Sequence, residues 1–184
     1  MTGILKGESV VPHTQNAQLR HGLYTPEERV RRDQTVWTLV QGVLAPVQFL
    51  VFVVSLVLVL RYLWIGEGYM AATGSILAKT FFLYLIMVTG AIWEKVVFGQ
   101  YLFAPAFFWE DVFSFLVIAL HTAYLWALWT GALTSVEQMW LALAAYAAYV
   151  INAVQFILKL RAARLQAEAE EANLRANDPN EVTV

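Results

Sequence analysis

Seven ionisable side chains lie inside, or at the edges of, otherwise apolar stretches of this chain: Arg61, Lys79, Glu94, Lys95, Glu110, Asp111 and His121. Charge is expensive in hydrocarbon, so each is a candidate site. Glu94 and Lys95 close one apolar stretch, and Glu110 with Asp111 open the next after the aromatic connection VVFGQYLFAPAFFW. If the two stretches are antiparallel helices, three carboxylates and a lysine gather at one membrane face. Carboxyl groups in different environments can divide the roles of general acid and general base. The same group could equally be an ordinary interfacial cluster in which Lys95 neutralises an acid. At about 100° per residue, Glu110, Ser114 and His121 share one helix face and form a polar stripe running inward. His121 then lies about 16 Å from Glu110 along the axis, too far to pair with it but suited to the other end of a large, flat ligand. It could instead be a histidine hydrogen-bonded to a neighbouring helix. Gln41, Gln48 and Ser55 recur at seven-residue intervals, and Asn152, Gln155 and Lys159 share a face beside Tyr149. These amides either join helices or line an interior pocket. Arg61 and Lys79 are expected to snorkel to the interface.

Several kinds of chemistry drop out. There is no cysteine, which removes disulfides, iron–sulfur clusters, thiolate-ligated haem and thiol catalysis. Bis-histidine haem needs two histidines at membrane depth, whereas His13 and His21 fall in the N-terminal tail and only His121 falls in an apolar stretch. A net charge of −2 offers no basic surplus for nucleic acid. No Gly-rich phosphate loop, HExxH or CxxC element is present.

The elements that must position these residues are membrane helices. The chain has 184 residues, 59% apolar and 14% charged, too apolar for a soluble domain of this length. Four stretches, at about 36–64, 71–97, 107–133 and 136–160, each reach the roughly 20 residues needed to span the hydrocarbon core. The expected fold is all-α, an integral membrane four-helix bundle with short connections, and Pro46 can kink the first span. Residues 1–35 form a cytoplasmic tail in which Thr25-Pro26-Glu27-Glu28 carries the signals of a capped surface helix running to about Asp33. No apolar run there is long enough for a cleaved signal sequence. Residues 161–184 extend the last span into the cytoplasm and end in disorder. Arg29, Arg31, Arg32, Lys95, Lys159, Arg161 and Arg164 fall on one side of the spans and Arg61 and Lys79 on the other, which puts both termini in the cytoplasm. The tryptophans give the same topology: Trp37, Trp93 and Trp109 mark one interface, and Trp64, Trp126, Trp129 and Trp140 the other.

Five strings are more specific than this pattern: LYTPEERVRRD (23–33), WTLVQGVLAPVQFLVF (37–52), VTGAIWEKVVFGQYLFAPAFFWEDVFSF (88–115), LHTAYL (120–125) and AAYVINAVQFILKLRAARL (147–165). From Leu23 to Leu165 the chain closely resembles the 2-vinyl bacteriochlorophyllide hydratase family of phototrophic bacteria. The resemblance implies addition of water to the C3 vinyl group of chlorophyllide a or a related pigment in bacteriochlorophyll synthesis, in a bacterial inner membrane. It implies a chlorophyllide-type tetrapyrrole substrate, with the lipid bilayer and other enzymes of the pathway as further partners. It implies no redox cofactor; the magnesium belongs to the substrate. On the residues' own chemistry, Glu94 at the negative end of its helix is expected to be the acid, and Glu110 or Asp111, in first turns, the base. Lys95 opposes this, so the labels could be exchanged. His121 is the candidate magnesium contact, direct or through water; Gln41, Gln48, Ser114, Asn152 and Gln155 are the candidate pocket lining. Two rival readings are a non-catalytic chlorin carrier and an anchor subunit of a quinone-linked complex. The carrier would tolerate neutral carboxylates, and the anchor would co-purify with a larger redox partner.

Overall fold

A computed structural model describes residues 23–176. Its helices are α1 (Pro26–Gln34), α2 (Val36–Ile65), α3 (Tyr69–Phe98), α4 (Phe108–Thr130) and α5 (Ser135–Ala176). The described residues contain no strand. α2 to α5 are each long and apolar enough to cross a membrane. The tail before residue 23 and the segment 177–184, expected to be disordered, lie outside the described residues.

Local chemistry sets the boundaries. Thr25 starts α1 with a full capping box: its backbone N–H donates to Glu28 Oε2 at 2.8 Å and the Glu28 N–H donates back to Thr25 Oγ1 at 3.3 Å. Thr35 ends α1 and caps α2, and the Thr38 hydroxyl donates to the Arg32 carbonyl at 2.6 Å, fixing the corner between a surface helix and a span. α2 runs unbroken across Pro46. Gly66, Gly99 and Gly131 end α2, α3 and α4 in the left-handed conformation that glycine adopts without a Cβ penalty. The fourth span begins with a second reciprocal cap, Thr134 with Glu137. It continues as one helix to Ala176, well past the apolar stretch.

The bundle is built from two hairpins, α2 with α3 and α4 with α5, each packed closely along its length; contact between hairpins is sparser. A core of Phe52, Val59, Ile76, Leu83, Val117 and Met139 lies between them. Outward faces carry exposed apolar side chains such as Leu50, Val54, Val57, Phe81 and Ile157, a surface suited to lipid. At the end where α3 meets α4, a second cluster joins the residues just before α1 to α3, to the N-cap of α4 and to α5: Tyr24 stacks on Phe98 at 5.8 Å, and Phe107 packs against Trp93 at 5.7 Å and Phe156 at 5.8 Å. Polar residues are concentrated along the seam between the hairpins.

Candidate functional site: a polar seam between two helical hairpins

The seam starts at the aromatic end. Glu94, one turn before the end of α3, and Asp111, in the first turn of α4, are both buried, and their carboxyl groups face each other within hydrogen-bonding reach. The connection between the helices holds them there. Phe103 has φ of +58°, a left-handed conformation that bulky residues adopt only under constraint. That turn aims two successive backbone N–H groups at the pair: Phe103 N–H donates to Asp111 Oδ2 at 2.7 Å and Ala104 N–H to Glu94 Oε2 at 3.3 Å. Consecutive amides converging in this way form an anion-binding nest. Phe103 is stacked on Phe115, 5.5 Å between ring centroids, which helps hold the strained residue in place. Beside them Glu110, also buried, accepts from Lys159 Nζ at 2.6 Å, and the same ammonium lies 5.1 Å from the Phe107 ring centroid.

Further along, Asn152 of α5 donates to Ser114 of α4 at 2.8 Å. Deeper still is a second polar group that draws on all four spans. The Ser55 hydroxyl of α2 bonds to Ser75 of α3 at 2.7 Å and to Tyr146 of α5. The His121 ring of α4 lies 6.0 Å from that of Tyr146. Lys79 of α3 is fully buried, with its ammonium 3.6 Å from the Tyr149 ring centroid. Nδ1 of His121 lies 2.8 Å from the Val117 carbonyl; a carbonyl only accepts, so Nδ1 carries the proton, and in the neutral ring Nε2 keeps a free lone pair. Lys79 Nζ and His121 Nε2 are both buried without a hydrogen-bond partner.

A family model for 2-vinyl bacteriochlorophyllide hydratase matches residues 24–162. The chain belongs to that family. It is 71% identical over 162 residues to the 2-vinyl bacteriochlorophyllide hydratase of Rhodobacter capsulatus, covering 88% of this chain and 94% of that protein. With the protein of the same name from Cereibacter sphaeroides the identity is 75% over 149 residues, covering 81% of this chain and 92% of that one. No solved structure matches the chain. The hydratase family's matched region takes in the whole seam, from Ser55 to Lys159.

The structure brings together Glu94, Glu110 and Asp111, as the hairpin connection predicts, but with a different lysine. Lys95 is exposed; it donates to the Gly99 carbonyl at 2.6 Å, capping the end of α3. The cation of the cluster is Lys159, from the far end of the bundle's last span. Glu110, Ser114 and His121 do form one buried stripe. Gln41 joins helices, donating to Thr89 Oγ1 at 2.7 Å. Gln48 and Gln155 each keep an amide oxygen buried without a partner, as does Asn152. Lys79 overturns the snorkelling expectation: its side chain is 0% exposed, whereas Arg61 is exposed. The reason is positional. Lys79 lies ten residues into a thirty-residue helix, on the face turned to α5, where the Tyr149 ring takes the ammonium. Tyr146 was not among the sequence candidates. Its signal was present, since Tyr146, Tyr149, Asn152 and Lys159 recur at helical spacing on one face.

Proposed function

We infer that this chain hydrates the C3 vinyl group of chlorophyllide a, or a related bacteriochlorophyllide, to a 1-hydroxyethyl group. The observation that carries this is the high identity to two named hydratases over nearly their whole length. The seam between hairpins gives a flat macrocycle a place to lie, with its reacting edge at the carboxylate end and His121 Nε2 facing the central magnesium, directly or through water. The reaction moves protons and water without net electron transfer, and the magnesium arrives with the pigment.

Protonating the terminal vinyl carbon leaves a cation on the carbon beside the ring, delocalised into the macrocycle. Water adds at that carbon and loses a proton. A facing carboxyl pair holding one proton supplies both functions: Glu94 gives the proton to carbon, and Asp111 takes one from water. Either can hold the proton at the start. Glu110, bound to Lys159, adds negative charge beside the developing cation. Ser114, Asn152, Gln155 and Gln48 line the seam deeper in, and Gln41 holds α2 to α3. The bundle lies in the bacterial inner membrane, cytoplasmic or intracytoplasmic, with both termini and the carboxylate end on the cytoplasmic side, a reading supported by the distribution of Lys and Arg along the sequence.

In membranes supplied with vinyl chlorophyllide, Glu94→Gln and Asp111→Asn should each lower turnover by about 100-fold or more while pigment is still retained. Full activity in both variants would remove the pair from the chemistry, whereas pigment retained but never hydrated by the unaltered chain would transfer it to the carrier reading.

A further inference from the structure

The buried lysine is unexplained by the hydration chemistry. Lys79 is 0% exposed and makes no hydrogen bond, and among the described residues no carboxylate is paired with it. The Tyr149 face, at 3.6 Å, offers an ammonium some attraction but satisfies none of its three N–H donors. A cation at this depth calls for an anion. Bundle residues do not provide one, and the ligand does. A chlorophyllide, unlike an esterified chlorophyll, carries a free propionate, on the reduced ring next to the ring that bears the vinyl group.

The polar groups of the bundle follow one another along the seam. The carboxylate pair lies at one end; His121 follows ten residues further along α4 from Asp111; Lys79 lies fifteen residues back along α3 from Glu94. By helical rise these are axial steps of about 15 Å and 22 Å between backbone positions. Side-chain direction adjusts both: side chains lean toward the N-terminus of their helix. His121 and Glu94 therefore lean toward each other along the seam, and the Lys79 ammonium lies near enough to the His121 ring to act on it electrostatically.

We propose that Lys79 is the receptor for the propionate carboxylate of the pigment, a specificity-determining residue that makes the seam select the free acid over its esters. The proposal rests on the hydratase reading of the seam. In the unliganded bundle Tyr149 shields the ammonium; the pigment parts the hairpins, and its carboxylate replaces that ring contact with charge-assisted hydrogen bonds. These are worth enough to set the acid at least tenfold apart from an ester.

The test compares vinyl chlorophyllide with its methyl ester in membranes containing the full chain, measuring both pigment retention and hydration. The unaltered protein should retain the acid about tenfold more tightly than the methyl ester. Lys79→Met should lose that difference by weakening the acid alone, raising its KM with little change in kcat, and Lys79→Arg should restore part of it. Equal retention of acid and ester by the unaltered protein would overturn the proposal, even if no variant folds. So would an unchanged acid preference in Lys79→Met, or an equal loss for both pigments. Preferential retention without any hydration would leave the lysine assignment standing and refute the hydratase reading instead.

Discussion

At the scale of single residues, the site is a set of buried charges with assigned counterparts. Glu110 is stable in its buried position because Lys159 reaches it from α5. Lys159→Met would strand that carboxylate, and thermal inactivation in detergent should show a loss of about 1–3 kcal/mol, less than for a fully buried pair because Lys159 keeps about a quarter of its side chain exposed. Glu110→Gln in the same background should recover most of the loss, since it removes the stranded charge; no recovery would mean that the pair does not hold the two helices together. This pairing was half legible in the sequence. Glu110 and Lys159 each stood on a recognisable polar face, but which cation crosses to which acid depends on how α4 and α5 align, and residue spacing within one helix carries no such information. Lys95, next in sequence to Glu94, was the natural choice and points elsewhere. Lys79 misled for a related reason: a lysine half a helix away from the carboxylates looks like a snorkelling residue until the facing ring of Tyr149 is known.

At the scale of elements, the connection between α3 and α4 is the part that makes a carboxylate pair possible. Two carboxyl groups are held together because Phe103, at φ +58°, turns its own N–H and that of Ala104 onto them. The contribution comes from the backbone, so the side chain matters only through the conformation it permits. Phe103→Gly, which relieves the left-handed strain, should keep turnover within about threefold, while Phe103→Val, whose branched Cβ resists positive φ, should lower it more than about tenfold. Equal effects of the two substitutions would show that the ring, through its stack on Phe115, is what matters. The helices themselves were largely readable in advance: apolar length marked four long helices, of which only the last runs well past its expected stretch, and Thr25-Pro26-Glu27-Glu28 marked α1. The connection was not readable, because nothing in LFAPAFF announces a phenylalanine in a glycine-like conformation.

At the scale of the whole molecule, two closely packed hairpins meet along a polar seam. Its polar groups run from carboxylates at one end, past the histidine, to the lysine, and the exposed faces remain apolar. Orientation in the membrane can be read directly, since the chain has no cysteine of its own. Glu67→Cys, in the connection between α2 and α3, should react with an impermeant maleimide in intact cells, and Gln100→Cys, near the carboxylates, only after the membrane is opened; the reverse pattern would place the chemistry on the outer side. Hydration at the carboxylate end of the seam is the central claim. Its most direct measurement is pigment chromatography with mass detection, on membranes containing only this protein, given vinyl chlorophyllide in water labelled with heavy oxygen. A product heavier than the substrate by one labelled water, formed by the unaltered chain and not by Asp111→Asn, is the result expected. Pigment that is bound and released unchanged, or a labelled product formed equally well without Asp111, would contradict it.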